Sequence, residues 1–119
     1  MAKESAVYVR HMMEAIANIE LDVAGYDFER FRNDRRVRQL VERNLEIISE
    51  ASRRLPAQLK AKESQIDWAA IAGIGNVLRH DYHQGHPTVL WETCSKDLEP
   101  LQLALGRMLK ELAHRGGAR

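Results

Sequence analysis

The chain of 119 residues has one cysteine, Cys94. No intrachain disulfide can form, which fits a reducing cytoplasm, and Cys94 reads as a small residue packed on a helix. Long apolar runs are missing, so no membrane span is expected. The opening MAKESAVYVRHMMEAI carries charges inside it, so no signal peptide is expected either. An excess of one charge sign is also missing: 18 Lys and Arg stand against 17 Asp and Glu, for a formal net charge of +1. Bulk electrostatics therefore marks no nucleic-acid binder, and any such face must be local. There is no CxxC or HExxH pattern, no repeat and no low-complexity tract. No strand-like alternation of apolar and polar residues appears. These absences lead to the expectation of a soluble, cytoplasmic, all-α protein forming one domain over 1–119, with the tail 114–119 (HRGGAR) frayed.

What is present is helical spacing. Val9, Met12, Ile16, Ile19 and Val23 step by three or four and line one helix face, with Gly25 as its stop. GYDFERFRND then reads as an interruption. A second helix is predicted from about Asp34 to about Arg54, with Val37, Val41, Leu45, Ile48 and Ala51 as its stripe and Pro56 as its breaker. AQLKAKESQID reads as a polar linker. Ser64 and Asp67 signal the start of a third helix, which carries Asn76 and His80 near its end. Gly85 and His86–Pro87 make a turn, and proline is tolerated in the first turn of the helix that follows. Leu98, Leu101, Leu105, Met108 and Leu112 form the last stripe, and Pro100 is expected to divide this final region. The prediction is an up-and-down bundle of four to five helices. So many stripes in so short a chain leave apolar surface over, which suggests homodimerisation through a helix face.

The stretch GNVLRHDYHQGH, from Gly75 to His86, concentrates reactive side chains. Asn76 and His80 are four apart, as are Arg79 and His83, and Asn76 and Arg79 are three apart, so the four form one broad polar helix face. Arg79 projects roughly 100° from His80 about the axis, but its long side chain can bend back. His80, His83 and His86 have the chemistry of a metal site, yet Gly85 and Pro87 flank His86 and take it off the helix. No metal or cofactor is expected. Taken alone, His80 reads as a hydrogen-bonded helix histidine and Tyr82 as a rim aromatic. Trp68 and Trp91 read as packing residues rather than base-stacking platforms.

Three segments carry a family likeness: VERNLEIISEASRRL (Val41 to Leu55), IDWAAIAGIGNVLRHDY (Ile66 to Tyr82) and VLWETCSKDLEPL (Val89 to Leu101). In order and spacing the chain resembles the HepT-like toxins of the HEPN superfamily. The resemblance implies a helical-bundle homodimer acting as a metal-independent endoribonuclease on tRNA or mRNA. It also implies a minimal nucleotidyltransferase antitoxin as genetic partner, able to silence the toxin by adding AMP to the motif tyrosine. By position His80 matches the motif histidine and Tyr82 the motif tyrosine. The motif arginine would fall at position 75, where this chain has Gly75; Asn76, which usually follows that arginine, is kept, and Arg79 immediately precedes His80.

Metal-free RNA cleavage needs a base for the 2′-OH proton and a fixed cation for charge growing on the phosphate. His80 suits the first role and Arg79 the second, with Asn76 orienting. ERFRNDRRVRQLVERN adds a local excess of arginine, in which Arg35, Arg36 and Arg43 are candidate RNA contacts together with His83. The bland alternative is a solvated helix start with ordinary ion pairs, although arginine so early in a helix opposes the macrodipole. Two functions follow. One is an RNA endonuclease centred on Asn76, Arg79 and His80, with Tyr82 as AMP acceptor. The other is a catalytically weak or inactive dimer that serves as a binding partner of a nucleotidyltransferase.

Overall fold

The computed structural model of the protein describes residues 2–80 and 86–117, without side chains at 80, 86 and 115–117. Among these residues every element is helical: α1 (Ala2–Val23), α2 (Phe28–Arg32), α3 (Arg35–Arg53), α4 (Ala57–Ala61), α5 (Trp68–His80), α6 (His86–Glu92), a π-helical turn (Thr93–Asp97) and α7 (Leu98–Gly117). The all-α expectation holds. α1 packs against α3 on one side and α7 on the other, and α3 packs in turn against α5. The core is built from the predicted stripes. Val9, Met12, Ile16 and Ile19 of α1 meet Val41, Leu45 and Ile48 of α3 and Leu101, Leu105 and Met108 of α7, all at most 1% exposed.

Local chemistry explains the helix ends. Gly25 has φ +80°, a left-handed value that a side chain would resist, and it closes α1 as expected. The interruption after it contains a helix that the sequence reading passed over. Asp27 accepts the Arg30 N–H at 2.8 Å and starts α2, whose Phe31 is fully buried. Asp34 then accepts the Val37 N–H at 3.1 Å and starts α3, while also accepting the Tyr26 hydroxyl at 2.6 Å. The supposed linker likewise holds α4, pinned by Leu59 at 3% exposure. α7 runs to Gly117, into the stretch expected to fray.

The division of the last region falls earlier than Pro100. The break is the π-helical turn Thr93–Asp97, and Pro100 sits in the first turn of α7. Proline has no N–H to give and its ring crowds the carbonyl four residues back, Lys96. Widening the turn that contains Lys96 relieves that crowding without ending the helix. No helix among the described residues is long and apolar enough to cross a membrane.

Candidate functional site

α5 carries the polar stretch from Gly75 as far as His80, and its first turn fixes how the helix starts. The Asp67 carboxylate accepts the Ala70 N–H at 3.0 Å, and the Asp67 carbonyl accepts that of Ile71 at 3.1 Å. Trp68 donates its indole N–H to the Glu63 carbonyl at 3.1 Å. Ile71 and Leu78, seven apart, turn into the core. Asn76 and Arg79 are consequently exposed and, three apart, neighbours on the helix surface.

Gly75 is buried where α5 meets α3. Its N–H donates to Ser49 Oγ at 3.3 Å, and Ser49 Oγ donates to the Ala72 carbonyl at 2.7 Å. Ser49 is 2% exposed, so this hydroxyl is an internal bridge between the two helices. A Cβ at position 75 would lie 3.4 Å from Ser49 Oγ and 3.5 Å from Arg79 Nη1. The Arg79 side chain thus runs back one turn toward the start of α5, the direction that helical side chains favour. Its guanidinium therefore stands beside Gly75. Ser49 was invisible in the sequence, being a small residue next to the apolar stripe of α3.

The other candidates are dispersed. Arg35 and Arg36 are exposed in the first turn of α3. Arg43 lines a groove of about 280 Å³ between α1 and α3, beside Tyr8, His11, Glu46 and Glu50, and not the α3/α5 seam. Their neighbours in the arginine run are spent locally. Arg30 lies 4.0 Å from the Tyr26 ring centroid, Arg32 pairs with Glu29 at 3.1 Å, and Arg38 donates to the Arg32 carbonyl. Tyr82 and His83 lie outside the described residues, as does the His80 side chain. Trp91 packs on Phe31 and Phe28 at 5.1 and 6.3 Å between centroids, and Trp68 is partly buried against the core. Burial pushes the Cys94 thiol up to about 12, so it stays a neutral packing group rather than a nucleophile. Among the described residues no three His, Cys, Asp or Glu side chains are grouped to hold a metal ion.

Comparison with known proteins identifies the family. The family model described as "Ribonuclease HepT-like" matches residues 12–108. A protein provisionally named as an RNase, from Caldanaerobacter subterraneus subsp. tengcongensis, is 31% identical over 104 residues, covering 87% of this chain and 93% of that one. "Probable ribonuclease HepT" of Thermococcus cleftensis is 35% identical over 95 residues, covering 80% of this chain and 86% of its own. A protein of Methanocaldococcus jannaschii, named as a gamma-glutamylcyclotransferase and provisionally as an RNase, is 28% identical over 112 residues, which is 94% of this chain and 50% of that one. No solved structure gave a significant match.

Proposed function

The chain belongs to the Ribonuclease HepT-like family, and from that premise we propose that it is a metal-independent endoribonuclease toxin acting on tRNA or mRNA. Its antitoxin partner would be a minimal nucleotidyltransferase, with Tyr82 as the AMP acceptor. The observation that carries the reading is the position of Arg79 Nη1, 3.5 Å from where a Cβ at Gly75 would be. A chain that lost the motif arginine and kept no cation there would have lost the charge the reaction needs. Here the Arg79 guanidinium, rooted one turn on, lies beside that position, which supports its serving as the cation.

In this mechanism His80 takes the proton of a ribose 2′-OH. The 2′ oxygen bonds to the adjacent phosphorus and the bond from phosphorus to the 5′ oxygen breaks. The imidazolium returns the proton to that departing oxygen, leaving a 2′,3′-cyclic phosphate and a 5′-hydroxyl. Arg79 holds the phosphate oxygens as negative charge builds on them, and Asn76, on the same surface, orients the substrate. The active form is a homodimer. Val77, on the site helix α5, leaves apolar surface exposed, at 43%. Arg35, Arg36, Arg43 and His83 serve as outlying RNA contacts.

Purified protein is incubated with total tRNA in excess chelator. Cleavage is expected to persist there and to fall by about a hundred- to ten-thousand-fold in His80→Ala. Arg79→Ala should cost about a hundred- to a thousand-fold, and adding Gly75→Arg to that variant should restore part of the loss. Intact RNA, together with a copurifying nucleotidyltransferase, would instead support the second reading, an inactive dimer that binds that partner. Gly75 at the motif position is the feature that favours it.

A further inference from the structure

Arg53, on the last turn of α3, has no role in the reading above. Its Nη2 donates to the Ala72 carbonyl of α5 at 2.7 Å, and its Nη1 lies 3.5 Å from Glu50 Oε2. The Ala72 carbonyl is the same acceptor that Ser49 Oγ uses. One buried hydroxyl therefore ties the backbone beneath Arg53 to the backbone beneath Arg79. Ala72 and Gly75 are three residues apart, roughly 4.5 Å of helix rise. Two guanidiniums, one from each helix, thus stand over a single turn of α5.

Two like charges brought over one helical turn repel each other, and the ion pairs among the described residues offer them little compensation. Glu50 is 62% exposed, is also shared with Arg54 at 3.8 Å, and is worth little to Arg53 across 3.5 Å of solvated surface. None of the ion pairs found among the described residues uses Arg79. A guanidinium has five N–H donors, and Arg53, 42% exposed, commits one of them to Ala72 at a good distance. That bond fixes the group in place while leaving most of its donors for an anion. An anion that can engage both groups is the complement of such a pair.

We propose that Arg53 and Arg79 form a two-part clamp on the RNA backbone. Arg79 engages the scissile phosphate and Arg53 a neighbouring phosphate of the same strand, with Ser49 as the positioning residue that sets the helix spacing. This rests on the ribonuclease reading for its substrate. It adds an RNA-binding residue on α3 that the motif on α5 does not contain.

The test measures binding of a fluorescein-labelled oligoribonucleotide by anisotropy across a salt series, alongside cleavage kinetics on the same RNA. Arg53→Gln is the informative variant, since it removes the charge while keeping a polar side chain at that surface position. Losing one phosphate contact on a single strand should lower the slope of log Kd against log salt by about 0.7. KM should rise more than kcat falls, and the difference from wild type should shrink at high salt. Arg53→Ala should give the same slope change, and circular dichroism on both variants checks the fold. A salt slope and KM unchanged from wild type, in variants that bind and cut RNA, would overturn the clamp and leave the ribonuclease reading standing. Failure of the wild-type protein to bind or cut any RNA would overturn both.

Discussion

Glu63 is 8% exposed and accepts hydrogen bonds from Arg107 Nε at 3.1 Å, Arg107 Nη2 at 2.7 Å and Gln65 Nε2 at 2.7 Å. The Arg107 hydrogen bonds hold its carboxyl below the ordinary carboxylate value against the opposing effect of burial. A carboxylate with a lowered folded-state pKa adds stability above its unfolded pKa, and that stability is lost as pH falls through the lowered value. Glu63→Gln should therefore cost about 1–2 kcal/mol at neutral pH, a modest loss because the Arg107 side chain is 54% exposed and can return to water. In thermal melts over a pH series the gap to wild type should close on acidification; a gap independent of pH would refute this account. At this scale the sequence exposed Asn76 and Arg79, because spacing alone decides which residues neighbour each other on a helix. It could not expose Ser49 or Arg53, whose partners lie 23 and 19 residues away on another element.

The long helices were legible because burial imposes a 3.6-residue rhythm over many turns. α2 and α4, of five residues each, are too short to display that rhythm. Their signals were single residues: the Asp27 cap with Phe31 behind it, and Pro56 with Leu59 behind it. The π-helical turn left no periodic trace either, since only the conflict between Pro100 and a continuous helix produces it. Gly106 lies inside α7, and a Cβ there would meet nothing within 4 Å. Glycine in a helix interior costs entropy without serving any close approach at this position. Gly106→Ala should stabilise the protein by about 0.5–1 kcal/mol, raising the melting temperature by a few degrees in calorimetry. A lower melting temperature would mean that the space beside Gly106 is filled in the protein's working assembly.

For the whole molecule, α1 is the central element, in contact with both α3 and α7, while α5 is held through α3. The site helix therefore sits at the flank of the bundle. Its outer surface leaves Val77 43% exposed. The proposed homodimer predicts a solution mass of twice 13.6 kDa by light scattering. Val77→Asp should shift that mass toward the monomer, because a charge at an apolar contact must be desolvated without a partner. A dimer unaffected by this change would mean that the copies pair through a different surface.

The sequence by itself determined the helical class, the inward faces of the long helices, the family and the surface shared by Asn76 and Arg79. All of these follow from short-range periodicity or from the order of residues along the chain. Only the tertiary structure decided what surrounds the glycine at position 75. The approach of α3 to α5 puts Ser49 against the Gly75 backbone and leaves room for the Arg79 guanidinium beside it. It also lays Arg53 across the preceding turn. Such contacts depend on the distance between two helices, a quantity that no local pattern of residues encodes.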